Sequence, residues 1–180
     1  NSLIDPGNEL KVWGQAGWTQ DGKVLLYDYH DIWSISADSK QRQRLTKGKE
    51  KNLRYRLHAS ALATAPSFNY NHISSAMYDV SKQMVLTAVD LEDGSTGFYT
   101  LSPTGKLSLM VMEKALLNKY QKATGNDTFI YVKQRFDVSP TLMLKRRKKT
   151  KILVQSNRQQ KAYAWGKAEL IYYKDSKGHP

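Results

Sequence analysis

Six cations crowd into the stretch Lys145, Arg146, Arg147, Lys148, Lys149, Lys151, interrupted only by Thr150. Such a run can hold phosphates or carboxylates, but nucleic-acid binding also asks for aromatic stacking platforms or a groove-fitting helix. None adjoins it, so a nucleic-acid partner is not expected. The run joins Leu142-Met143-Leu144 to Ile152-Leu153-Val154. That places it at a hairpin turn in solvent, with an anionic surface or a partner protein as the alternative use. A second pair of cations, Arg54 and Arg56, alternates with Leu53, Tyr55 and Leu57. A guanidinium offers a planar fork of donors, suited to a peptide carboxylate or a backbone carbonyl. The competing reading is an ordinary edge strand with wet arginines.

The remaining chemical groups point to structure. His30 lies between Asp28 and Asp31, which could make a base or part of a metal site. Strand alternation, however, sends Asp28 and His30 to one face and Asp31 to the other. Bonding of the turn backbone by the two carboxylates is the expected role. His58 and His72 have no acidic neighbour in sequence, and Asp90, Glu92 and Asp93 read as a hairpin tip before Gly94. No metal site and no cofactor is expected. A nucleophile elbow needs Gly-x-Ser-x-Gly, and no two of the 11 glycines stand four apart around a serine. The chain itself should be catalytically inactive.

These groups must be carried by a core, and the composition supplies one. The chain has 180 residues, 40% hydrophobic and 11% aromatic, and no cysteine. It is long enough for one ordinary domain or a piece of a larger one, and disulfides and thiolate chemistry are excluded. No run approaches the ~20 apolar residues that span a bilayer as a helix. Asn1-Ser2-Leu3-Ile4-Asp5-Pro6-Gly7 has neither the basic end nor the apolar stretch of a signal peptide and reads as a chain entered midway. The net charge is +12, half of it from the 145–151 run.

Short segments rich in β-branched and aromatic residues predict strands at 23–28, 31–35, 83–89, 97–101, 128–132, 141–144 and 151–154. Asp21-Gly22, Asp93-Gly94, Thr104-Gly105 and Gly125-Asn126-Asp127 mark turns between them. Asn126-Asp127-Thr128 is formally a glycosylation sequon but reads as a turn. Met112, Leu116 and Tyr120, at i, i+4 and i+8, predict one short helix over 112–120. The strands repeat as a unit, and the separation of Tyr99 and Met143 falls within the ~40 to 50 residues of a four-stranded propeller blade. Blade-like units are expected at about 13–47, 75–111 and 125–156, with 47–74 as an insertion. The predicted fold is all-β: a partial β-propeller of about three to four blades over residues 1–166, with a β-sandwich as the competing architecture. Open sheet edges would permit an edge-mediated dimer.

Gly17-Trp18-Thr19-Gln20-Asp21-Gly22-Lys23-Val24-Leu25-Leu26-Tyr27-Asp28, followed by His30-Asp31-Ile32-Trp33 and Arg44-Leu45-Thr46, resembles the propeller of prolyl oligopeptidase family serine peptidases, especially a bacterial branch. Phe136-Asp137-Val138-Ser139-Pro140-Thr141-Leu142 resembles a segment of that family's last blade. Residues 157–170, with Trp165-Gly166 and Glu169-Leu170, are similar to the crossing into its α/β-hydrolase domain. Asp175-Ser176-Lys177-Gly178 stands where that crossing turns. The likeness covers most of the chain in order, but Lys47-Gly48-Lys49-Glu50-Lys51-Asn52 departs from it. It implies a non-catalytic cap that gates peptide substrates, with 167–180 as the junction to a catalytic domain outside these residues. Its partners would be that hydrolase domain, upstream blades and peptide substrate, and an exported or periplasmic location would follow from the same likeness.

Overall fold

The computed structural model describes residues 13–64, 67–69, 72–74, 76–171 and 173. The chain forms two compact units, Asn1–Lys114 and Ala115–Pro180. Nearly all regular structure among the described residues is β: a six-stranded sheet built on a four-stranded antiparallel meander, two four-stranded antiparallel sheets and a two-stranded hairpin.

The first meander runs in chain order through β1 (Gln15–Thr19), β2 (Lys23–Tyr27), β3 (Ile32–Ser36) and β4 (Arg42–Arg44). After a 3-10 turn at Lys49–Lys51, β5 (Leu53–Leu57) starts the second sheet. The chain then leaves that sheet for β6 (Leu62–Thr64), the small hairpin β7 (Ser67–Asn69) and β8 (His72–Ser74), and β9 (Met77–Tyr78). It returns as β10 (Met84–Asp90), β11 (Thr96–Leu101) and β12 (Leu107–Glu113), giving the order β12-β11-β10-β5. Strands β9 and β6 extend the first sheet instead, with β9 parallel to β1. Gly17 permits that approach: its φ is +148°, and a Cβ there would lie 2.4 Å from the Ala76 carbonyl oxygen.

The expected insertion over 47–74 is therefore misplaced. Leu53–Leu57 is an integral strand of the second meander, paired with β10 from Leu86↔Leu57 to Asp90↔Leu53. The extra segment falls inside that unit, between its first and second strands. Sequence pattern missed this because β5 and β10 are joined in space while separated by a long excursion.

Central strands carry apolar side chains on both faces. In β10, Met84, Leu86 and Ala88 are buried on one face, while Val85 and Val89 are half-buried on the other. The first two sheets share one core, with Leu25 and Ile32 from the first and Leu53, Tyr55, Leu86 and Leu101 from the second. Full burial of each such aliphatic side chain contributes roughly 1.5–3 kcal/mol.

The second unit is the third meander: β13 (Leu116–Lys122), β14 (Thr128–Arg135), β15 (Val138–Arg146) and β16 (Lys149–Gln155), paired in chain order. A 3-10 turn at Arg158–Ala162 follows. The helix expected over 112–120 is absent; its residues belong to the end of β12 and to β13. Leu116, one of the three residues that suggested it, is exposed, while Leu117 and Tyr120 are buried at a three-residue spacing. A bulge between Asn118 and Gln121 produces it, with Lys119 in the left-handed region at φ 53°. One extra residue shifts the two-residue alternation to three, so Leu116 and Tyr120 do not share a face. Among the described residues no helix is long and apolar enough to cross a membrane. The segment 174–180, with the expected turn at Asp175–Gly178, lies outside the described residues, as does the N-terminal stretch 1–12.

The bulge makes Lys119→Gly diagnostic. In a helix the change would cost about 1 kcal/mol, whereas removing a left-handed Cβ offsets a strain of roughly 1–2 kcal/mol. Urea unfolding should show the variant at least as stable as the parent.

Candidate functional site

The densest polar cluster is the link between the first two meanders. Residues 28–31 turn between β2 and β3, closed by the Asp28 N–H donating to the Asp31 carbonyl at 3.1 Å. Asp28 Oδ1 accepts from the backbone N–H groups of His30 at 2.8 Å and Asp31 at 2.5 Å, and Oδ2 accepts from Trp33 Nε1 at 2.7 Å. The Asp31 carboxylate reaches forward along the chain. Its Oδ1 accepts from Thr46 Oγ1 at 2.6 Å and the Gly48 N–H at 2.5 Å, and its Oδ2 from the Lys49 N–H at 3.3 Å. Arg44 Nε stands 3.7 Å from the same carboxylate, while Arg44 Nη2 pairs with Glu50. Thr46 Oγ1 in turn accepts from the Ile32 N–H at 3.0 Å.

Both carboxylates are almost fully buried, at 1% exposure. A buried charge persists only when its lone pairs are satisfied, and here backbone donors and an arginine do so. Gly48 has no room for a side chain, since a Cβ would lie 2.3 Å from the Leu53 carbonyl oxygen and 3.1 Å from Asp31 Oδ1. The structural role expected for Asp28 and Asp31 is seen directly. The alternation that was to separate them does not apply, because residues 28–31 turn instead of continuing a strand.

Arg54 and Arg56 lie against this turn. Arg54 Nε donates to the Tyr29 carbonyl at 3.1 Å, with its guanidinium 4.3 Å from the Tyr29 ring centroid. Arg56 donates through Nη1 to the Tyr55 carbonyl at 2.7 Å and through Nη2 to the Asp28 carbonyl at 2.9 Å, above the Tyr27 ring at 4.6 Å. Burial is the main cause lowering the Arg56 pKa from its ordinary value. Arg56 thus clamps β5 to the β2–β3 turn. The Nη groups of Arg54 make no hydrogen bond to a described residue, leaving it the freer of the two for a peptide oxygen.

His30 stacks edge-on against Tyr29, with ring centroids 4.8 Å apart. His58 Nδ1 accepts the Ser60 N–H at 3.1 Å, capping a short 3-10 turn. Burial lowers the pKa of both below the ordinary 6.5, Asp28 and Asp31 partly opposing it at His30. His72 lies in β8, where its backbone pairs with Asn69. Asp90 and Asp93 accept from the backbone N–H groups of Glu92 and Ser95, so the acids there hold a turn. Among the described residues no three His, Asp or Glu groups converge as a metal site.

The 145–151 run forms the turn of the β15–β16 hairpin. Arg146 lies opposite Lys149 and Lys145 opposite Thr150, while Arg147 turns the chain at φ 53°. The second unit also holds a cleft of about 340 Å³, lined by Ser139, Gln155, Arg158, Lys161, Tyr163 and Trp165 among others. The sequence reading passed over it. Its one signal is Arg158 and Lys161 at i, i+3, presented together by the 3-10 turn. Trp165 Nε1 donates to the Phe136 carbonyl at 2.6 Å, joining the Phe136 and Trp165-Gly166 segments at the mouth of the cleft.

No family model, curated protein or solved structure matches this chain.

Two expectations follow from the cluster. Asp31→Ala strands the Thr46 hydroxyl and two backbone donors, and should lower unfolding free energy by about 3 kcal/mol in urea titration. The unfolded chain takes up histidine protons below pH ~6.5 more readily than the folded one. The histidine contribution to stability is therefore complete above pH ~6.5 and lost as pH falls toward the lowered folded values. A His30→Gln/His58→Asn double variant should flatten the fall in urea midpoint between about pH 7 and pH 5.5.

Proposed function

We propose that this chain is part of the non-catalytic cap of a serine peptidase resembling prolyl oligopeptidases, its meanders being blades of a β-propeller. The observation that carries this reading is that the central strands of the first and third sheets carry apolar side chains on both faces. In the first sheet, Leu25 and Ile32 enter the core shared with the second. By strand register, Trp18, Val24, Leu26, Trp33 and Ile35 share the opposite face. In the third meander, Tyr131 and Met143 are buried on one face, while Ile130, Val132, Leu142 and Leu144 lie half-buried on the other. A two-sheet sandwich turns one polar face of each sheet to water. Sheets apolar on both sides are made for neighbours on both sides, as stacked blades are.

In this reading the parent reaction is peptide-bond hydrolysis through an acyl-enzyme, and the catalytic serine, histidine and acid belong to a separate α/β-hydrolase domain. The propeller walls the chamber and admits short or flexible peptides. Arg54, whose Nη groups make no hydrogen bond to a described residue, is the candidate contact for a substrate carboxylate or carbonyl. A second reading, a binding module for a protein or polyanion, is favoured by the six cations of the 145–151 turn, none of which has an acidic partner among the described residues.

The cap reading is tested with a fluorophosphonate serine probe. The 180-residue chain should remain unlabelled, and the complete product of its gene should be labelled at a serine within Gly-x-Ser-x-Gly. Labelling of the chain itself, or a gene product without that motif, would overturn it.

A further inference from the structure

The β15–β16 hairpin carries charge that its own fold does not require. Arg146 and Lys149 stand directly opposite each other across the ladder, where like charges are destabilising. Arg147 adopts the left-handed region at φ 53°, where Gly or Asn is favoured in a hairpin turn. A local choice that opposes the local fold marks a position kept for something else.

Beyond the turn, β16 is the edge of its sheet, and no described strand pairs with its outer side. An open edge is a template for another strand, and natural edges are normally short or blunted. From Lys149 to Ile152, before a bulge at Leu153, the edge offers two kinds of side chain in alternation. By register, Lys149 and Lys151 lie on one face, opposite Arg146 and Leu144, and Ile152 lies on the other, opposite Met143. Ile152 and Val154 are each 56% exposed and Leu153 43%. Lysines in a strand edge repel a second edge of the same sequence, but they suit a strand of opposite charge.

We propose that the outer edge of β16 receives an acidic, extended peptide segment of a partner protein by strand addition. The incoming strand places carboxylates beside Lys149 and Lys151 and aliphatic side chains beside Thr150 and Ile152. Backbone hydrogen bonds supply affinity, and the alternation of charge and apolar groups supplies register. A second copy of this chain would set lysine rows against lysine rows. Nucleic acid would leave Ile152, Leu153 and Val154 unused and would find no aromatic platform between 145 and 155. The inference narrows the second functional reading above and does not depend on the peptidase cap.

The test uses the full chain and an end-blocked heptapeptide of alternating Glu and Val, followed by isothermal titration. Binding should weaken at least about tenfold in K149E/K151E, whose exposed side chains can change without touching the core. Methylating the peptide's alternate backbone nitrogens along one edge should abolish binding, and methylating the other edge should leave it intact. Because that control alters only the probe, it stands even if the variant fails to fold. Equal binding by both methylated peptides would overturn strand addition, as would no binding of the parent peptide. Equally tight binding of poly-glutamate, duplex DNA or phosphatidylserine vesicles would also overturn it, while leaving the basic turn as a general polyanion surface.

Discussion

The buried Asp31 carboxylate is the constraint on which the first unit depends. The link from the first meander to the second has little apolar content, and the backbone donors it buries around Thr46 and Gly48 must be satisfied. Asp31 satisfies them from one position, binding Thr46, Gly48 and Lys49 while Asp28 closes the turn behind it. Once the link is held, the Leu53 N–H reaches the Gly48 carbonyl and the Tyr55 N–H the His30 carbonyl. Tyr55 then enters the shared core fully buried. A carboxylate that organises the backbone thereby sets the distance at which two sheets can share side chains.

The same arrangement assigns the arginines. Alternation along β5 sends Tyr55 into the core and Arg54 and Arg56 to the opposite face, where the carbonyls of residues 28 and 29 and the rings of Tyr27 and Tyr29 meet them. A residue pair that resembles an anion-binding fork in sequence is, for Arg56, already spent on the fold. The cations of 145–151 are the reverse case. Among the described residues none of them has an acidic partner, Arg146 faces Lys149 across the ladder, and they lie beside an exposed aliphatic strand edge in the second unit.

Strand identity and turn position were legible because local rules govern them. The strands at 23–27, 32–35, 84–89, 97–101, 128–132 and 141–144 appear where β-branched and aromatic alternation placed them. Gly22, Gly94, Gly105 and Gly125 turn with φ between 71° and 81°. The errors arose where one residue or one partner changes the meaning of a pattern. Met112, Leu116 and Tyr120 matched a helical spacing, although the bulge at Lys119 puts Leu116 and Tyr120 on different faces, and β5 looked like an insertion because its partner β10 comes long after it. The roles of Arg54 and Arg56 were equally illegible, since the Tyr29 and Asp28 carbonyls are not side chains and leave no trace in composition.

By itself the sequence determined an all-β chain of hairpins with apolar side chains on both strand faces, a solvent-facing basic turn and no nucleophile elbow. Those are properties of neighbours in the chain, where two-residue alternation and turn chemistry act over a few bonds. Tertiary structure decided which strands share a sheet, which carboxylates hold the crossover and which backbone carbonyls the arginines meet. These outcomes depend on pairings between residues far apart in sequence, and burial turns each such pairing into either a satisfied hydrogen bond or a costly orphan.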